Sequence, residues 1–444
     1  MNDRATTRDS ATPSNWRGAI ALLIVLVVLY GCRVPDPPVF KDKSIGLIYD
    51  TSMEDELRSG KAPAIVQTAF ERYIDTLAEP VAVIESTERA WTWEVLVATN
   101  RGRFVPGLAR ADADNRVLDF VQYGRAEVFL PKQVRGQEPK MTAGGKRFGF
   151  LPPGKSSSSQ PVAKATSDAL TDAEFLEAVN SQLGRSRQHD LLVFVHGFNV
   201  NFDSAVIRTA QVALDMPFNG AVVAYCWPSQ GGVFNYDEDE PINKSSVGPF
   251  TQFLTLLRQG VPPETRINIV VHSMGNRIVM QSLSELAEGS EIAASQSANR
   301  KPFANVALCA PDVGHADFQA WAPGVVAMAD RVSLYSSAGD SALIVSKGLH
   351  GERRAGDAWE PAICPGVETI DCSRIDMSFM GHSYYGSNSD VLADLFMLLK
   401  EDLPAAKRPH LSVEKTLDGD VYYQFSKSAP AIQVGWHFEE TEVQ

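Results

Sequence analysis

A chain of 444 residues, 44% hydrophobic and 21% charged, has the composition of an ordinary folded protein and is long enough for one large core with further segments around it. Acidic residues outnumber basic ones by 54 to 41, and the resulting formal net charge of -13 disfavours phosphate backbones, so no nucleic-acid partner is expected. There is no phosphate loop closing on Gly-Lys-Ser/Thr and no Gly-x-Gly-x-x-Gly turn, and Cys32, Cys226, Cys309, Cys364 and Cys372 form no Cys-x-x-Cys pair, so neither a cofactor nor a metal is expected.

Residues 19–30 (AIALLIVLVVLY) are an unbroken apolar run behind Arg4, Arg8 and Arg17, the layout of a signal peptide. The run is short for a span, which needs about 20 residues. It ends Leu29-Tyr30-Gly31-Cys32, which resembles a bacterial lipoprotein signal. That resemblance implies removal of residues 1–31, acylation of Cys32, and a lipid anchor holding the protein to the cell envelope, facing the periplasm or the exterior. The alternative is a single uncleaved signal anchor starting near Trp16, which also leaves the remainder outside the cytoplasm. In such a compartment Cys364 and Cys372 are close enough in sequence to bridge, and their pairing is left open.

Residues 32–93 read as a Pro-rich spacer (RVPDPPVF) and an N-terminal extension, with a helix over 62–78 marked by Ile65, Val66, Ala69, Tyr73 and Leu77. Short β-type runs follow at 94–99 and 126–131, then a linker-like KSSSSQ at 155–160. From residue 171, where Thr-Asp-Ala-Glu offers a capping box, helix and strand alternate. Strands are expected at 191–195, 221–226, 267–271, 305–310, 331–336 and 367–371, and helices at 171–183, 204–215, 249–259, 275–288 and 389–403. The strands are apolar on both faces, as in a mostly parallel, doubly wound α/β sheet covered by helices on both sides. Residues 94–403 form this domain. A C-terminal β-hairpin-like extension, 404–444, holds HLSVEKT and DVYYQF around Leu417-Asp418-Gly419-Asp420.

The chemistry concentrates at strand ends, where such sheets place their sites. Ile269-Val270-Val271-His272-Ser273-Met274-Gly275-Asn276 runs from a strand directly into a helix, which puts Ser273 at a nucleophile elbow. Gly275 supplies the small second neighbour that such a turn wants; Val271 on the other side is larger than usual. Phe194-Val195-His196-Gly197-Phe198-Asn199 ends another strand, and the backbone N–H groups of Phe198 and Met274 are the expected oxyanion donors. Gly197 permits close approach, while His196 orders the loop and is a poor candidate for the base. His272 and Asn199 flank these groups. The general base should follow the serine, and His382 in Met380-Gly381-His382-Ser383-Tyr384 lies after the last strand, where the fold presents it. His315, His350, His410 and His437 read as structural or surface residues. Asp340, closing RVSLYSSAGD, is the preferred orienting acid, and Asp312, closing NVALCAPD, is the alternative.

The chain resembles a family of bacterial α/β-hydrolases of unknown function in the esterase/lipase superfamily, over about residues 94 to 402. The resemblance rests on Ala98-Thr99-Asn100-Arg101, Tyr123-Gly124-Arg125, VFVHGFN at 193–199, Cys226-Trp227-Pro228-Ser229, His272-Ser273-Met274-Gly275-Asn276, Ala310-Pro311-Asp312, Ser337 to Leu343 and Gly381-His382-Ser383-Tyr384. It implies the α/β-hydrolase fold and a serine hydrolase acting on a small-molecule or lipid acyl ester. Where the family has Ala or Gly, this chain has Val271. Two other readings use the same residues: a non-catalytic envelope binding protein on the same scaffold, and an acyltransferase. Oligomeric state is not legible.

Overall fold

The computed structural model describes residues 80–87, 90–104, 116–131, 164–230, 236–289, 300–375 and 389–426. Cys32, the helix expected at 62–78, the linker at 155–160 and His382 lie outside these residues.

Twelve strands build one sheet. They are β1 (Val83–Ser86), β2 (Ala90–Arg101), β3 (Val117–Pro131), β4 (Lys164–Leu170), β5 (Asp190–Val195), β6 (Ala221–Cys226), β7 (Arg266–His272), β8 (Phe303–Cys309), β9 (Ala329–Ser336), β10 (Val367–Asp371), β11 (Leu411–Lys415) and β12 (Val421–Phe425). The order across the sheet is β11-β12-β10-β9-β8-β7-β5-β6-β2-β3-β4, with β1 paired to β2. From β12 to β2 every neighbour is parallel. The antiparallel pairs β2–β3, β3–β4 and β11–β12 lie at the two margins, and β1 pairs antiparallel with β2.

All residues of β5, β6 and β8 are buried, which requires cover on both faces of the sheet. Side-chain alternation divides them. Leu191, Val193 and Val195 of β5 join a core with α1 (Asp172–Arg185), α4 (Val247–Gly260), α5 (Gly275–Glu288) and α6 (His315–Met328). Leu192 and Phe194 point the other way, toward α2 (Phe202–Asp215) and α8 (Ser389–Leu399). Thr171 starts α1 with the expected capping box, its hydroxyl accepting the Glu174 N–H while the Glu174 carboxylate accepts the Thr171 N–H.

Three helices had no periodic signal in the sequence: α3 (Tyr236–Ser245), α6, and α7 (Ser341–His350). The first is acidic and contains Pro241, and α6 contains Pro323. The β4 segment, KATSDAL, is polar enough to pass for loop because it lies at the margin of the sheet. The C-terminal hairpin is continuous with the sheet, since β12 pairs in parallel with β10. A buried ion cluster fastens it: Arg408 donates to Asp394 Oδ2 at 2.7 Å and to Glu368 Oε2 at 2.8 Å, and His410 Nε2 lies 2.7 Å from Asp394 Oδ1. Cys364 and Cys372 are both buried free thiols on opposite faces of the sheet, so the bridge left open by the sequence is not formed. No helix among the described residues is long and apolar enough to cross a membrane.

Candidate active site

Ser273 occupies the junction between β7 and α5 with φ of +51°, the left-handed region that a non-glycine residue enters only when its surroundings hold it there. The holding groups come from β8, the segment after it and α5 itself. The Ser273 N–H donates to the Cys309 carbonyl at 3.0 Å, and the Asn276 side chain donates to both the Ser273 carbonyl, at 2.8 Å, and the Cys309 carbonyl, at 3.2 Å. The Asp312 N–H also reaches the Ser273 carbonyl, at 3.3 Å. Ser273 itself is partly exposed, whereas Met274, Gly275 and Asn276 are buried. Val271 is fully buried and the left-handed turn forms beside it.

The loop after β5 packs directly on this turn. A Cβ built on Gly197 would lie 2.8 Å from the Ser273 Cβ and 2.9 Å from His272 Nδ1, and one on Gly275 would lie 2.5 Å from the His196 carbonyl oxygen. Both contacts exclude any larger residue without movement of the backbone, which is why the two segments come so close. His196 is buried and stacked on Trp227, with ring centroids 5.3 Å apart and planes 9° from parallel. Burial, with the Arg101 charge nearby, drives its pKa down to about 3, so the ring is neutral and cannot serve as a base near pH 7. Its Nδ1 lies 2.8 Å from the Gly197 carbonyl; a carbonyl only accepts, so the proton sits on Nδ1. That bond orients the peptide plane carrying the Phe198 N–H. Among the described residues neither the Phe198 nor the Met274 N–H has a hydrogen-bond acceptor.

Asp312 and Asp340 sit in different surroundings. Asp312 is buried, and its Oδ1 accepts from Ser346 at 2.6 Å and faces Arg354 at 3.2 Å. Its Oδ2 accepts from Tyr236 at 2.6 Å and from Arg277 at 3.4 Å. Arg277 also pairs with Glu240 at 2.6 Å, and burial beside Asp312 raises the Tyr236 pKa. Asp340 is half-buried beyond the end of β9, where Oδ1 accepts the Leu343 N–H at 3.2 Å and so caps α7. Its turn is tied to the segment after β10 through the Ala338 N–H, which donates to Ser373 Oγ at 2.8 Å.

An open parallel sheet covered by helices agrees with what a comparison with known families finds. The model of the family described as "alpha/beta hydrolase of unknown function" (DUF900) matches residues 171–399, from the cap of α1 to the last residue of α8. The chain belongs to this α/β-hydrolase family. No curated protein matches it. Among solved structures it is similar to a phosphonate-inhibited esterase B of Lactobacillus rhamnosis, with 12% identity, a TM-score of 0.32, and coverage of 80% of this chain and 98% of that one. It is also similar to a hyperthermophilic esterase of the archaeon Pyrobaculum calidifontis, with 10% identity, a TM-score of 0.30, and coverage of 80% and 98%.

Other residues of this α/β-hydrolase surround the loop without having been given a role by the sequence. Arg101, Trp227 and Ser229 appear in two of the family-like motifs, and both motifs fall at carboxyl ends of strands, β2 and β6. That placement was the available signal. Asp239 had none, since the run YDEDEP reads as a solvated acidic face although Asp239 is fully buried.

Proposed function

We propose that the protein is a serine hydrolase of carboxylic esters, held at the cell envelope through an acylated Cys32. The observation that carries the reading is Ser273: a partly exposed serine in a left-handed turn, with the Gly197 loop packed directly on it. Ser273 Oγ attacks the acyl carbonyl as His382 takes its proton, and the N–H groups of Phe198 and Met274 receive the oxyanion. His382 then protonates the departing alkoxide. Water, deprotonated by the same imidazole, attacks the acyl-enzyme, and Ser273 regains its proton as the carboxylic acid leaves. Asp340 orients His382, which follows β10 in the chain. Support for Asp340 over Asp312 is that both Asp312 oxygens are engaged by Ser346, Arg354, Tyr236 and Arg277.

A fluorophosphonate probe and p-nitrophenyl esters from acetate to palmitate test the reading on detergent-solubilised full chain. Labelling and hydrolysis that disappear in Ser273→Ala and His382→Ala are expected; folded wild type that does neither is a binding scaffold. Product analysis with an added alcohol separates hydrolysis from acyl transfer. Incorporation of labelled palmitate, lost in Cys32→Ser, tests the anchor.

A further inference from the structure

Three backbone groups of the loop 196–200 are tied down on either side of Phe198 by residues that the mechanism does not use. Ahead of it, the His196 carbonyl accepts the Trp227 indole N–H at 2.8 Å. Behind it, the Val200 N–H donates to Ser229 Oγ at 3.3 Å, and the Val200 carbonyl accepts from Arg101 Nη2 at 2.7 Å. The Ser229 hydroxyl donates onward to Asp239 Oδ2 at 2.6 Å, and the Gln230 N–H donates to Oδ1 at 2.7 Å. Asn199 is held at φ of +59°. Arg101, Ser229 and Asp239 are each at most 1% exposed, and they come from β2, the end of β6 and α3.

We propose that Asp239, acting through Ser229 and with Arg101, is the positioning residue of the oxyanion hole: it fixes the Val200 end of the loop so that the Phe198 N–H is presented to the carbonyl attacked by Ser273. The inference rests on the serine hydrolase reading and extends it to the residues behind the loop. Its logic is that of acceptor counting. An ionised carboxylate only accepts, so it gathers the Gln230 N–H and the Ser229 hydroxyl at once, and an amide would turn an N–H₂ toward one of them. Burial raises the Asp239 pKa, and its hydrogen bonds and the Arg101 charge oppose that rise. With the peptides before and after it fixed, and the Gly197 carbonyl drawn to His196 Nδ1, the Phe198 N–H is left with one orientation.

The test uses the full chain with p-nitrophenyl butyrate, and an alkylboronic acid as a tetrahedral, oxyanion-like inhibitor. Asp239→Asn is expected to lower kcat by about 10- to 100-fold, since a misaimed oxyanion donor loses up to the whole contribution of that donor, while KM stays within about threefold. Boronate affinity is expected to fall with kcat, which a general loosening of the fold would not produce without also raising KM. A folded Asp239→Asn protein with kcat and boronate affinity within twofold of wild type overturns the proposal. Should Asp239→Asn not fold, Ser229→Ala decides: a fall in kcat at constant KM supports it and unchanged kcat overturns it. Wild type that neither labels nor hydrolyses sinks the hydrolase reading beneath it, whereas active wild type with an indifferent Asp239→Asn sinks only the clamp.

Discussion

Gly275→Ala probes the contact between the elbow and the oxyanion loop with one methyl group. The added carbon would sit 2.5 Å from the His196 oxygen and 3.2 Å from both Val195 Cγ1 and Val271 Cγ2. The oxygen cannot simply yield, because Trp227 holds it at 2.8 Å, so the loop and α5 must separate by roughly 0.9 Å to reach ordinary contact. Overpacking of this kind costs about 1–3 kcal/mol, offset by at most about 1 kcal/mol from replacing glycine at the first position of a helix. Net destabilisation of about 1–2 kcal/mol is expected in urea titrations. The effect on rate should be larger than that on stability. Displacing a donor by most of an ångström from a developing oxyanion costs on the order of 100-fold in kcat, read with p-nitrophenyl butyrate. A folded Gly275→Ala protein whose kcat stays within threefold of wild type would refute the packing argument.

Ser273→Gly should be inactive yet up to about 1 kcal/mol more stable than Ser273→Ala, because glycine relieves the left-handed strain and alanine keeps it; equal urea midpoints would remove the strain. His196 refuses a proton down to about pH 3, whereas the unfolded chain accepts one near 6.5, so its linkage makes stability fall as pH drops through that window. His196→Phe should therefore show a shallower acid slope, by as much as one proton, in denaturation curves from pH 6.5 to 3. Arg408→Met leaves the buried Asp394 with His410 and Tyr335 as its partners among the described residues, and should cost about 3–5 kcal/mol; a melt within 2 °C of wild type contradicts this. Asp340→Asn is expected to lower kcat with little change in melting, while Asp312→Asn lowers melting first, and the reverse pattern would exchange their roles.

The parallel strands were legible because burial on both faces leaves a run such as LLVFV or AVVAYC no polar position to disguise it. Segments with a different physical basis were not. The acidic run of α3 carries its one decisive residue, Asp239, inward among neighbours that suggest a solvated surface, and no periodicity distinguishes it. Arg101 looked like part of a strand-end motif, but its task of holding a carbonyl in another loop belongs to tertiary structure, 99 positions away in sequence. The C-terminal hairpin was visible as a hairpin. Its membership of the main sheet was not, since it depends on Arg408 and His410 finding Asp394 in α8.

The two aspartates show what their surroundings add to a preference for Asp340 that rested on chain position. Both follow strands of the parallel block, so the topology offers each one to the catalytic rim. A carboxylate has about four lone-pair sites, and Asp312 meets four donors from four different side chains, two of them guanidinium groups. To accept an imidazole N–H as well it would have to give up a charged partner in a buried place, and the nearby positive charges would oppose the imidazolium formed during attack. Those same donors link α3, α5 and α7 beside Ser273, which makes Asp312 a brace for the elbow. Asp340 lies beyond the end of β9 and caps α7 through Oδ1, an arrangement that orients the carboxylate. The electrostatic demand of the reaction, a negative charge that strengthens as the ring becomes positive, is one that Asp340 can meet and Asp312 has already spent on its own neighbours.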